Sequence, residues 1–248
     1  MNLGFSVHLV DQDSERSIAR RDEWADRQHG VWLFGPEYAP LFRQRMDLEL
    51  DENSPTNRAF WIVLTIWRKK AGAFVRQAVL ASDLPLLGER QVILDELVLP
   101  RERAASIAPA PTLAEFQNGF ALEAVQLPER AQAGESLSIP ISWRASERGL
   151  EDHAQFLHFG HEESGEWWTF DQAPLGDRLP TRLWYSGLAD SEIWQVALPA
   201  DLAAGRYAIF TGLYRMRDKE RVIAWGADKK PYPDARIPLG NIVVKSVS

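Results

Sequence analysis

Apolar residues along this chain come in short runs, rich in β-branched and aromatic side chains and bounded by Gly, Pro, Asp or Asn. That is the pattern of strands joined by turns; amphipathic helices need apolar positions three and four apart over longer windows. It predicts strands over Phe5–Val10, Met46–Leu50, Ala59–Trp67, Phe74–Val79, Val92–Leu99, Phe120–Gln126, Ser136–Trp143, Ala154–Phe159, Trp167–Phe170, Ser191–Leu198, Gly205–Tyr214, Val222–Trp225 and Gly240–Val244. Short helical turns are expected at Glu37–Gln44, Arg101–Ala105 and Ala110–Phe116. Period-two alternation sets Tyr207, Ile209, Thr211 and Leu213 on one face, and Gly205-Arg206-Tyr207 reads as a sandwich corner whose tyrosine hydroxyl ties back to the loop backbone.

The two halves of the chain read alike. Phe5-Ser6-Val7-His8-Leu9 matches Gln155-Phe156-Leu157-His158-Phe159, and a nearly constant offset then aligns Asp22 with Asp171, Trp67 with Tyr214 and Leu99 with Val244. The expected fold is therefore all β: two tandem immunoglobulin-like antiparallel β-sandwiches, the first truncated or atypical at its N-terminus. The second half opens with Phe120–Gln126, a turn at Gln132–Glu135 and Ser136–Trp143, which read as a hairpin, whereas only seven residues precede His8. The boundaries expected are a first sandwich over residues 1–100, an Ala/Pro-rich linker over 101–114 and a second sandwich over 115–248.

Composition narrows the function classes. A chain of 248 residues can bury a core without staples, and with no cysteine it has no thiolate nucleophile, redox pair or cysteine-bound metal. A net charge of −7 argues against nucleic acid and anionic lipid as partners. No apolar run approaches the roughly 20 residues that span a bilayer, and no signal peptide is legible at the start, so direct membrane insertion is not expected. The chain is expected to be cytoplasmic if complete, and extracytoplasmic, periplasmic or at the cell surface, if it belongs to a larger membrane protein.

The candidate chemistry is sparse. His158-x-x-His161-Glu162-Glu163 contains ligand types, but residues three apart on a strand point to opposite faces, so no metal is expected. Acid pairs at Asp22-Glu23, Asp51-Glu52, Asp95-Glu96, Glu162-Glu163 and Asp171/Asp177 would suit glycoside hydrolysis only if two converged on a cleft. There is no Gly-x-Ser-x-Gly elbow, P-loop or Gly-x-Gly-x-x-Gly run, hence no expected cofactor and no expected catalytic residue. The anomaly is tryptophan, present ten times. Indoles stack on the apolar faces of sugars and anchor interfaces. Trp143 and Trp194 sit mid-strand as core residues would, leaving Trp167, Trp168 and Trp184 as the loop-borne candidates for exposure. With Asp171 and Arg182 as hydrogen-bonding neighbours, they form the candidate ligand-binding set.

The second half also carries Gly134–Ala145 (GESLSIPISWRA), Asp152–Phe159 (DHAQFLHF), Thr169–Trp184 (TFDQAPLGDRLPTRLW) and Leu198–Tyr214 (LPADLAAGRYAIFTGLY). These segments resemble the soluble C-terminal β-sandwich modules that follow the membrane portion of some bacterial glycosyltransferase-like membrane proteins, over about residues 118–245 and more weakly over 3–99. The first half departs from the pattern, with Asn53–Asn57 in place of Leu202–Gly205 and no counterpart of Pro180–Trp184. The resemblance implies an accessory extracytoplasmic module with no catalytic residue of its own. The leading expectation is a non-catalytic module binding an envelope glycan or another protein domain. The alternatives are a glycan-acting hydrolase using loop carboxylates and a purely structural spacer.

Overall fold

The structure, a computed structural model, describes residues 3–24, 30–34, 40–79, 82–101 and 112–245. The described residues are nearly all β, as the apolar pattern requires, with several antiparallel sheets and among them no helix of seven residues or more. The chain divides into two compact units, Met1–Leu99 and Pro100–Ser248.

The first unit contains β1 (Leu3–Asp11), β2 (Ser17–Trp24), β3 (Gly30–Phe34), β4 (Pro40–Gln44), β5 (Ala59–Lys70), β6 (Ala73–Arg76) and β7 (Gln91–Val98). Five of these make one sheet in the order β2-β1-β5-β6, with β7 also paired to β5, while β3 and β4 form a separate two-stranded ladder. Leu9, Ala19 and Phe60 are its buried cluster, and Leu48 and Leu97 pack against them. Two local expectations are corrected here. Met46–Leu50 alternates like a strand but has no ladder partner among the described residues, and Leu48 packs against that cluster. Pro40–Gln44, expected as part of a helical turn, is held as a strand by β3, and residues 37–39 of that expectation lie outside the described residues.

The second unit contains β8 (Ala114–Phe116), β9 (Phe120–Val125), β10 (Arg130–Gln132), β11 (Ser136–Ala145), β12 (His153–His161), β13 (Trp167–Gln172), β14 (Ala189–Ala197), β15 (Gly205–Arg215), β16 (Ala224–Trp225) and β17 (Ile237–Lys245). They form two five-stranded sheets, β10-β17-β15-β12-β13 and β14-β11-β9-β8-β16. Alternation supplies the core. Leu137, Ile139, Ile141 and Trp143 from one sheet are buried, as are Tyr207, Ile209, Thr211 and Leu213 from the other. The Tyr207 hydroxyl donates to the Ala203 carbonyl at 2.8 Å, which is the corner expected. The expected opening hairpin is not a simple one: β9 and β11 do pair, but β10 between them joins β17 of the other sheet in parallel. Ala114–Phe116 is a strand and not a helical turn, because β9 and β16 both pair with it. Most of the expected linker and the Arg101–Ala105 turn fall at 102–111, outside the described residues.

The central sheets of the units share a register. Ser6 faces Asp22 as Phe156 faces Asp171, Gly4 faces Trp67 as Ala154 faces Tyr214, and Phe60 faces Leu97 as Tyr207 faces Ile242. A bulge interrupts β5–β7 between Ile62 and Val63, and another interrupts β15–β17 between Ile209 and Phe210. The turn after β1 is closed by Asp11, whose Oδ1 accepts the Ser14 N–H at 2.8 Å; after β12, His161 Nδ1 accepts the Ser164 N–H at 3.0 Å. Each turn then needs a left-handed residue, Glu15 (φ 53°) in the first and Gly165 (φ 71°) in the second.

Candidate functional site

A strand of an antiparallel sandwich ordinarily buries one face and wets the other. β12 breaks that rule, since all nine of its residues are buried. Gln155, Leu157 and Phe159 share the inward register of Leu213, Thr211 and Ile209. Ala154, Phe156 and His158 point the other way and are buried as well.

That outer face is aromatic and cationic. The Phe156 and His158 rings lie 4.4 Å apart, Trp167 stands edge-on 6.2 Å from His158, and Phe210 is 5.8 Å beyond Trp167. Glycines make this possible: at Gly160 a Cβ would collide with the Trp167 ring, and at Gly212 with Phe156. Arg221 lies 5.1 Å over Phe156, Arg236 5.1 Å over Trp167 and Lys219 5.0 Å over Tyr214. Among the described residues none of these three cations has a carboxylate partner. The acid on the face is Asp171, hydrogen-bonded by the Tyr214 hydroxyl, and burial together with the Asp171 charge raises the Tyr214 pKa.

Phe156, His158, Thr169, Asp171, Tyr214 and Arg221 line a hollow of about 380 Å³. His158 is only 8 % exposed, and its Nδ1 has no hydrogen-bond partner among the described residues. Burial, then the charges of Arg236 and Arg221, push its pKa down to about 4 against an opposing pull from Asp171. The imidazole is therefore neutral at pH 7. A second hollow of about 350 Å³, which shares Asp171 and Tyr214, is lined also by Asp152, Asp177 and Arg182.

The candidate residues separate accordingly. Trp167 and Asp171 do share the outer face, two registers apart on β13, and Trp167 is the tryptophan most open to solvent among the described residues, at 47 %. Trp168 alternates to the opposite face, half-buried, its ring 5.6 Å from Tyr207. Both belong to a strand and not to a loop. Arg182 is committed to Asp152, its Nη1 at 2.8 Å from Oδ2. Trp184 is a correction: it is fully buried, 4.5 Å from Phe120 and 5.8 Å from Trp143. The cause is local. Thr181 accepts the His153 N–H at 2.7 Å and donates to the Glu151 carbonyl at 3.0 Å, pinning the Pro180–Leu183 turn to the head of β12 and turning Trp184 inward.

The other sequence candidates have structural roles. His158 and His161 do lie on opposite faces of β12, and among the described residues no three His, Asp or Glu side chains gather as a metal site. Of the acid pairs, Asp22 bonds Arg20 and Glu23 bonds Arg21, Glu96 accepts from Gln12, and Glu162 accepts from Asn241; Asp171 and Asp177 line one hollow. The residues that sequence reasoning missed are Phe156, Tyr214, Lys219, Arg221 and Arg236. Period-two alternation from Trp167 to Asp171, carried across the ladder to β12 and β15, would have found the first two.

No protein-family model matches the chain, and neither does any curated protein. Among solved structures it is similar to the crystal structure of the C-terminal domain of wzt, with a TM-score of 0.37 and 12 % identity over 56 % of this chain and 83 % of that one.

Proposed function

We propose that the chain is a non-catalytic glycan-binding module, extracytoplasmic and accessory to a cell-envelope or membrane glycosyltransferase-like protein, in which two copies of one sandwich follow each other. The observation that carries the reading is the outer face of β12, β13 and β15. Trp167, 47 % exposed, offers an apolar surface for the C–H face of a sugar, and Asp171 and Thr169 offer acceptors and a donor for its hydroxyls. Three cations without carboxylate partners, in a chain of net charge −7, favour a saccharide that carries acidic groups. The sequence resemblance of Thr169–Trp184 and Leu198–Tyr214 to envelope-associated modules supports the setting.

The test is iodide quenching of tryptophan fluorescence in the purified chain, with tetragalacturonic acid as the acidic probe and maltotetraose as the neutral one. The acidic probe should shield a quenchable population that is missing in Trp167→Phe, and added salt should weaken the protection. Quenching unchanged by either saccharide would overturn the reading.

A further inference from the structure

We infer that the first unit carries a second saccharide site, on the equivalent face of its central sheet, built for a sugar bearing a carboxylate. This rests on the glycan reading of the second unit, but its own observations lie in the first. A hollow of about 310 Å³ opens there, lined by Ser6, Arg20, Asp22, Trp67, Phe74 and Arg76 and also by Glu23, whose carboxylate is paired with Arg21. Trp67 lies flat over Gly4, where no Cβ would fit. Its indole N–H donates to Ser6 Oγ at 2.9 Å, Ser6 in turn hydrogen-bonds Asp22, and Arg20 Nε donates to Asp22 Oδ1 at 2.7 Å.

The network fixes an acceptor. Burial works to raise the Asp22 pKa, but the hydrogen bonds from Arg20 and Ser6 and the Arg20 charge outweigh it and hold the carboxyl below its ordinary value. Asp22 therefore meets a ligand as a charged, preoriented carboxylate suited to paired sugar hydroxyls. Phe74 stands edge-on to Trp67 at 5.0 Å and is 64 % exposed, which supplies the apolar wall. Arg76, opposite Trp67 in the β5–β6 ladder, has no carboxylate partner among the described residues and is the group for a uronic acid.

The register makes this more than a local pocket. Asp22 stands where Asp171 stands, and Trp67 where Tyr214 stands. In both units the aromatic side chain is tied to the acid, directly through the Tyr214 hydroxyl in one and through Ser6 in the other. The same couple at equivalent register positions of two sheets, each beside a hollow, is what a repeated binding site would leave.

The experiment is isothermal titration of the full chain with tetragalacturonic acid, repeated for Asp22→Asn, Asp171→Asn and Arg76→Gln. Circular dichroism and the thermal midpoint would establish that each variant is folded. Two sites per chain are expected, with one lost in Asp22→Asn and the other in Asp171→Asn, and with the first-unit site weakened at least tenfold by Arg76→Gln. A single site lost only in Asp171→Asn overturns the inference and leaves the second unit's reading standing. A single site lost only in Asp22→Asn does the reverse, and no uptake at all overturns both.

Discussion

Replacing Trp184 separates a core indole from a binding platform. The side chain is fully buried against Phe120 and Trp143, and its Nε1–H donates to the Leu179 carbonyl at 3.0 Å. A buried aromatic of this size removes about 150–250 Å² from water, and at about 25 cal/mol per Å² that is about 4–6 kcal/mol. Trp184→Ala should therefore cost about 4–5 kcal/mol, in line with other buried aromatic truncations. That is about a quarter or more of what a domain usually has, on the order of 5–15 kcal/mol. Trp184→Phe keeps most of the ring contact but strips the buried Leu179 carbonyl of its donor, for about 2 kcal/mol. Guanidinium unfolding followed by far-UV circular dichroism, extrapolated linearly to water, measures both. The reasoning fails if the alanine variant stays within about 1 kcal/mol of the parent, or if the phenylalanine variant loses as much as the alanine one.

Three further outcomes follow from named contacts. Tyr207→Phe should cost about 1 kcal/mol, because it removes only the 2.8 Å bond to Ala203 and Phe60 fills the same register in the first unit without a hydroxyl; Tyr207→Ala should cost about 3–5 kcal/mol, both read from denaturation midpoints. Gly165→Ala should destabilise by about 1 kcal/mol through its positive φ alone, since nothing crowds the added methyl, while Glu15→Gly should stabilise by about 0.5 kcal/mol as relief of left-handed strain outweighs the entropy of glycine; a shift of the same sign in both would contradict the shared turn geometry. Acid should weaken the fold before carboxylates titrate. His158 has its folded pKa depressed to about 4, so the unfolded chain binds the extra proton first: the contribution is whole above the unfolded value near 6.5 and is lost as pH falls from there to about 4, for about 3 kcal/mol. His8 and His153 are lowered in the same direction, chiefly by burial. His158→Phe should flatten the stability profile between pH 4 and 6.5, and an unflattened profile would remove His158 as its cause.

Period-two alternation and turn residues were enough to read most strands, because an inward face needs apolar residues at every second position and a turn needs Gly, Asp or Asn. They failed where tertiary pairing decides. β2, with Arg20, Arg21, Asp22 and Glu23 in succession, has no period-two apolar alternation and is a strand because β1 supplies its ladder. β10 is three residues long and exists through its parallel pairing with β17. Met46–Leu50 had the alternation and no ladder partner among the described residues. At the candidate site, Trp167 and Asp171 were chosen as loop residues; they share a face because both sit on β13 with matching parity, which that reading did not use. Trp184 was misjudged because its burial follows from Thr181 bonding across to Glu151 and His153, a contact between segments that no local window contains. Arg221 and Arg236 were invisible for the same reason: they reach the face from the connection between β15 and β17.

The two equivalent faces differ in a way that bears on what they do. At the position of Phe156 the first unit has Ser6, and at the position of Tyr214 it has Trp67, so the apolar and hydrogen-bonding members of the pair have exchanged strands. A pure packing role would favour apolar residues throughout, yet each face keeps a carboxylate tied to its aromatic residue, and Asp22 is held ionised by two hydrogen bonds. His158 adds a buried nitrogen without a partner, a group that costs stability unless something outside the described contacts bonds to it. The Asp171 carboxylate lines the same hollow and is the acceptor that an incoming sugar hydroxyl would meet.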